Sequence, residues 1–257
     1  MFTEWIGSEE LVIPDPDAVV TPLKAKIDIN GYSYRAKEIL EDIILIRAEN
    51  RYALSSMMMR MQEFYESDDP DVKDQVFSQE YLMDKYAQKN SDKFTYLDDW
   101  DGFNVPGEVV EEFFETFSDL TEKELWLKEI LGEYLKSGEM FYLIGVHDDG
   151  CAQEHEVAHA FWYLYPEYKR RMKKAVKETF TPKVIEGMKK RLTQMGYDKA
   201  VLDDEVNAYL CTSELWALTY WFGKVKFKWG DVADLMLYHT DFYRLRAKEW
   251  RKLTEKD

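Results

Sequence analysis

The chain is short of the residues that carry most metal, redox and covalent chemistry. Its 257 residues include two cysteines and four histidines. Cys151 and Cys211 cannot build a disulfide framework, so an apolar core must hold the fold. No run approaches the ~20 apolar residues that cross a bilayer. The start, Met1-Phe2-Thr3-Glu4-Trp5, lacks the basic and apolar segments of a secretory signal. These absences predict no membrane partner and a reducing cytoplasm, the host's if the protein is viral. Positive charge is also scarce: 34 Lys and Arg stand against 50 Asp and Glu, for a net charge of −16. Such a balance argues against a protein that coats nucleic acid or anionic membrane. No internal repeat, low-complexity segment or nucleic-acid-binding motif is found.

What is present is an ordinary globular composition, 46% hydrophobic and 33% charged, in a chain long enough to bury a real core. Residues 1–30 read as irregular, and Asn30-Gly31 is a turn signal. From Ser33 to Tyr65, Ile39, Leu40, Ile43 and Ile46 recur at helical spacings, and Met57 to Met61 continue the pattern. Asp68-Asp69-Pro70 breaks that helix, and a weaker one is expected over Val72 to Gln88. Phe94 to Leu97 favours a strand. Asp98, Asp99 and Asp101 only faintly resemble a calcium loop, because the terminal bidentate Glu is missing, and read as a solvated turn.

A helix is expected from Asn104-Val105-Pro106-Gly107 to Phe117, and Thr121 to Glu124 forms a capping box for the next. Met140 to His147 is a nearly continuous apolar run and predicts a buried strand. The remainder reads as helices: from Cys151 or Ala152, from Pro166, from Thr181-Pro182, from Asp203-Asp204 to Phe222, and a last one ending near Leu253. Asp203 and Asp204 are candidate N-caps, and Val225 to Trp229 reads as a connector. The fold class predicted is α+β, mostly helical, with a small sheet beside the helix that follows residue 150. A mainly helical region over residues 1–92 precedes a metal-binding region over residues 93–257, or the two form one continuous globule.

Two of the four histidines stand in His155-Glu156-Val157-Ala158-His159, the pattern H-E-x-x-H. Residues four apart on a helix differ by about 40° in azimuth, so both imidazoles leave one face. Two nitrogens on one rigid helix can then bind a single Zn²⁺. Glu156, one residue further round, is placed to reach a water rather than the ion, as a general base does. With so few histidines, a chance match is expected on the order of 0.006 per chain. The alternative is a helix with two incidental histidines paired to carboxylates.

These residues make the chain resemble the zincin metallopeptidases, over Met140 to Leu164. The resemblance implies zinc, a peptide or protein substrate, and a strand, here Phe141 to His147, able to pair with extended substrate. The elongated metzincin pattern needs Gly and His where Trp162 and Tyr165 stand, which excludes that branch. Glu205, followed three residues on by Ala208, resembles the E-x-x-A of the gluzincins, which implies Glu205 as third ligand. Ala208, Tyr209, Thr212 and Trp216 share its helical face. The gluzincin pattern has an Asp four residues later, but Tyr209 stands there, and Asp204 competes as ligand or as a partner to a ligand. Zincins stabilise the oxyanion with a Tyr or His, for which Tyr209 and His239 are the candidates. His147 reads as a surface residue. Cys151 and Cys211 read as buried small residues that approach each other if their helices flank the metal.

The net charge hides an asymmetry. Lys169 to Arg191 holds ten basic and two acidic residues, +8, which leaves −24 for the rest. The basic stretch reads as a solvated face, with an acidic partner or a polynucleotide as the alternative. The predicted function is zinc-dependent peptide hydrolysis, with Glu156 as base, His155, His159 and Glu205 on the metal, and Tyr209 and His239 assisting. The alternative is an acidic interaction protein with a structural or non-catalytic zinc site. Oligomeric state is not predicted.

Overall fold

The computed structural model describes residues 23–148, 152–223 and 225–255. Its core is a five-stranded mixed sheet flanked by helices on both faces, an α+β and mostly helical architecture. The chain opens with strands β1 (Lys24–Ile29), β2 (Tyr32–Leu40) and β3 (Ile43–Ala48). Helices α1 (Arg51–Glu66), α2 (Gln79–Lys89) and α3 (Tyr96–Asp99) follow, then β4 (Gly102–Pro106). Next come α4 (Gly107–Thr116), α5 (Glu122–Ile130), α6 (Gly132–Ser137) and β5 (Tyr142–His147). Six helices complete the described chain: α7 (Gln153–Leu164), α8 (Pro166–Thr179), α9 (Pro182–Gln194), α10 (Leu202–Thr212), α11 (Leu215–Phe222) and α12 (Trp229–Thr254).

The first strands are where helical periodicity misled. Residues 33–48 are two strands joined by a turn at Glu41-Asp42, and the helix begins only at Arg51, capped by the Asn50 side chain. Two features override the spacing of Ile39, Ile43 and Ile46. Tyr34, Ala36, Glu38 and Leu40 are buried at period two, the pattern of a pleated strand. Asn30 and Gly31 both hold positive φ (53° and 82°), as a tight turn joining β1 to β2 requires. The expected helical region over residues 1–92 is therefore corrected over residues 24–48.

The strands run in the order β1-β2-β3-β5-β4. β3 pairs in parallel with β5, from Ile43 opposite Tyr142 to Ala48 opposite His147. Strands from both sides of residue 92 thus share one sheet. β5 lies between β3 and β4, with its hydrogen-bonding edges occupied on both sides. The run Phe141 to His147 is thus a central strand and has no edge to offer a peptide. The edge position belongs to β4, which pairs antiparallel with β5. Phe94 to Leu97, expected as a strand, leads into the short helix α3 instead, and the strand forms six residues later.

The sheet divides the core into two apolar layers. Tyr142, Ile144 and Val146 join Leu45 against α7, α8, α10 and α12. Leu143, Ile44 and Ile46 face the opposite way, against α1 and α4 and the Met57 to Met61 cluster. Burial of each such Leu or Ile contributes ~1.5–3 kcal/mol. At Gly145 an added Cβ would meet the Leu54 side chain at 3.0 Å, so α1 rests directly on β5. The long helix expected from Asp203 to Phe222 is two, broken at Ser213.

Candidate metal centre

The site forms where α7 crosses α10. α7 follows β5 and carries His155, Glu156 and His159; their spacing turns both histidines toward α10. Ala208, fully buried on α10, lets the helices approach, and Glu205 reaches back one turn earlier. One donor atom each from His155, His159 and Glu205 lies within 4.8 Å of the others. Nε2 of His155 is 3.7 Å from Oε2 of Glu205, and Nε2 of His159 is 3.5 Å from its Oε1.

The other ring nitrogens are occupied, and that fixes which nitrogens remain free. Nδ1 of His159 is 3.1 Å from Oδ2 of Asp204. Nδ1 of His155 is 3.4 Å from the Thr212 hydroxyl, which itself donates to the Ala208 carbonyl at 2.6 Å and so is left to accept. With these partners Nδ1 would keep its proton when a metal is bound, leaving each Nε2 lone pair to the ion, the arrangement that ligand histidines adopt. His159 and Glu205 are 2% and 3% exposed, yet among the described residues His159 Nε2 and Glu205 Oε2 have no hydrogen-bond partner. Leaving such atoms unpaired costs roughly 1–3 kcal/mol each. Two nitrogens and a carboxylate oxygen converge, those of His159 and Glu205 buried and that of His155 part-exposed toward the cleft, and the set fits a divalent metal.

Asp204 faces His159 and orients it, while Glu205 faces both Nε2 atoms. Neither Asp203 nor Asp204 caps α10, whose N-cap is Val201. Asp203 instead pairs with Lys189 at 2.5 Å and Lys173 at 3.4 Å. Those lysines hold its carboxyl below the usual range against the opposing effect of partial burial.

Glu156 is 5% exposed and lies against β4. Its Oε2 accepts from Asn104 Nδ2 at 2.9 Å, and Asn104 Oδ1 accepts from the Tyr142 hydroxyl at 2.7 Å. Gly102 makes room for the carboxylate: a Cβ there would lie 2.2 Å from Glu156 Oε1. Burial pushes the Glu156 carboxyl up, opposed by the two histidines and the Asn104 bond. His159 is pulled the other way: burial would lower it, but Asp204, Glu205 and Glu156 together raise it well above the ordinary imidazole value.

The group opens on a cleft of about 280 Å³. One wall is the C-terminal end of α1, with Gln62, Glu63 and Glu66; Asn104 of β4 and Tyr197, between α9 and α10, contribute the others. Among the described residues before 92, the end of α1 and the segment after it thus supply a wall of the cleft. Glu66 is pushed up to about 8 by burial and then by Glu205.

The remaining candidates fall away from the cleft. Tyr209 sets its ring against His155 (centroids 4.8 Å apart) and its hydroxyl 3.1 Å from that of Tyr197, and of these two tyrosines it is Tyr197 that lines the cleft. His239 is buried in the core, its Nδ1 2.8 Å from the Tyr168 hydroxyl. His147 is also buried, 3.2 Å from Asp101, and is not a surface residue. Asp99 and Asp101 are spent on Tyr86, Thr95, Arg51 and His147. Cys211 is a buried free thiol, and its proposed approach to Cys151 lies outside the described residues.

The sequence reading missed Gly102, Asn104, Glu66 and Tyr197. Asn104-Val105-Pro106-Gly107 was legible as a helix start, and α4 does begin at Gly107, but nothing local shows that the preceding strand touches α7. Among the described residues no helix is long and apolar enough to cross a membrane. Comparisons with protein-family models, curated proteins and solved structures give no match.

Proposed function

We propose that the protein is a zinc-dependent hydrolase acting on peptide bonds, a metallopeptidase of the H-E-x-x-H type. The observation that carries this reading is the convergence of His155, His159 and Glu205 beside the carboxylate of Glu156, at the mouth of a cleft. His155, His159 and Glu205 would hold the ion. Bound there, zinc supplies Lewis acidity toward a carbonyl oxygen and lowers the pKa of water to ≈ 7.

The protein's own groups do the rest. Glu156 accepts a proton from the attacking water and delivers it to the leaving amine. Asn104, fixed by Tyr142, holds the Glu156 carboxylate in one orientation. Asp204 keeps His159 in the tautomer that presents Nε2. Tyr197 offers a hydroxyl on the cleft wall for the developing oxyanion. The free edge of β4 runs past Glu156 and offers backbone groups to an extended peptide.

A closed structural zinc site takes four protein ligands. Among the described residues the group has three, and it opens on a cleft, which favours the catalytic reading. The test pairs zinc content with turnover of a peptide library by wild type and Glu156→Gln. One zinc per chain in both proteins, with a 10²–10⁴-fold loss of rate in the variant, is expected. Equal rates would remove Glu156 from the chemistry, and metal-free protein would remove the site.

A further inference from the structure

The scarcity of positive charge holds for the chain as a whole but not for every part of its surface. α8 gathers Lys169, Arg170, Lys173, Lys174 and Lys177, at spacings of four and one, along one side of the helix. These five side chains line a shallow groove of about 630 Å³. α9 continues the basic surface: Asp203 binds Lys173 of α8 with one oxygen and Lys189 of α9 with the other, so the two helices' cations meet at one carboxylate.

The groove's cations are positioned and only partly neutralised: of the five, Lys173 pairs with Asp203 and Lys174 with Glu178. Lys169 and Lys173 stand over the ring of Trp162, at 5.3 and 5.2 Å. Lys174 has only an exposed pair with Glu178 at 3.7 Å, of the kind worth ~0.2–1 kcal/mol. Arg170 and Lys177 are exposed, and among the described residues neither has an ion pair.

We infer that this face binds the phosphate backbone of duplex nucleic acid, without reading its sequence. From Lys169 to Lys177 the helix rises ~12 Å, and that length of duplex axis carries about seven phosphate charges. Five cations along one groove suit that charge density. The acidic remainder of the chain does not cancel the attraction, since charges beyond ~10 Å are largely screened at 0.1 M salt.

The chemistry of the groove selects among polyanions. A protein partner would be expected to find aromatic or apolar anchors at the centre of its interface. The groove has none: its other lining residues are Pro166 and Glu178. The most exposed aromatics, Trp216, Tyr220 and Trp229, sit on α11 and at the start of α12, and Tyr52 and Tyr81 on α1 and α2, all outside the groove's lining. The same lack of exposed rings removes the stacking platform that single strands use.

The experiment is fluorescence anisotropy of a labelled duplex DNA of arbitrary sequence, with the full chain, at 50 and 200 mM salt. The comparison variant is R170E/K174E/K177E, three side chains outside the metal group. Saturable binding is expected at 50 mM, weakening roughly 40- to 500-fold at 200 mM if three to five phosphates are neutralised. The variant should bind at least tenfold more weakly with an unchanged melting temperature. If it melts early, R170A/K177A serves the same comparison, since neither residue has an ion pair to lose. No saturable binding at 50 mM overturns the inference, as does equal binding by wild type and a folded variant. Tighter binding of a polyglutamate peptide than of the duplex would assign the face to an acidic protein instead.

Discussion

Replacing Asp204 and Glu205 one at a time separates two adjacent carboxylates by what each touches. Asp204 reaches the far nitrogen of His159 at 3.1 Å, and Glu205 faces Nε2 of both histidines. Removing a partner that orients a ligand histidine costs 10–100-fold in metal affinity. Asn at position 204 keeps an acceptor oxygen for His159 Nδ1 and loses only the charge, so Asp204→Asn should cost about tenfold, ~1.4 kcal/mol. Glu205→Gln exchanges an anionic ligand for a neutral amide and should cost more than 100-fold. Both follow from competition for zinc with a chromophoric chelator. Thermal unfolding gives a second readout. Zinc at 100 times its Kd stabilises the fold by about 2.7 kcal/mol, and a tenfold loss of affinity reduces that to about 1.4. A larger loss from Asp204→Asn than from Glu205→Gln would reverse the two roles and refute the assignment drawn from the distances. Wild-type protein that gains no stability from zinc would refute the metal site altogether.

Two further perturbations probe the surroundings. Gly102→Ala places a methyl group 2.2 Å from Glu156 Oε1 and should displace that carboxylate; zinc affinity should hold while peptide turnover falls about 10²-fold, and parallel losses in both would show a collapsed site instead. His239 is held neutral in the core, its pKa lowered to about 4 by burial and then by His155. The unfolded chain takes up that proton near pH 6.5, so the contribution is complete above pH 6.5 and is lost as the pH falls toward 4, by about 3 kcal/mol. Denaturant unfolding of wild type and His239→Gln at pH 7 and pH 4 should show the wild type losing that much more, and an equal loss in both would contradict the neutral histidine.

The legible parts of the molecule are those whose physics is local. The facing histidine pair needed only helical geometry and the spacing of His155 and His159. The capping box at Thr121 and Glu124 forms as read, and so do the strand ending at His147 and the turn at Asn30-Gly31. Residues 33–48 were misread because Ile39, Ile43 and Ile46 satisfy a helical period while their neighbours satisfy a strand period; pairing with β1 and β5 decides between them. Tyr209 and His239 were chosen by residue type and position in the chain. Their hydroxyl and ring nitrogen are turned to Tyr197 and Tyr168, partners 12 and 71 residues away.

By itself the sequence determined that one helix face carries two imidazoles with a carboxylate beside them. It also determined that ten cations crowd into one stretch of an acidic chain. Only the tertiary structure decided that Glu205 meets both Nε2 atoms while Asp204 turns to the far side of His159. The same holds for β4 as the edge strand, Asn104 as the support of Glu156, and α1 as a wall of the cleft. The physical reason is common to these: each contact joins residues more than 30 apart in the chain, across a sheet or between helices. No periodicity or spacing within either element specifies which partner packing will bring to it.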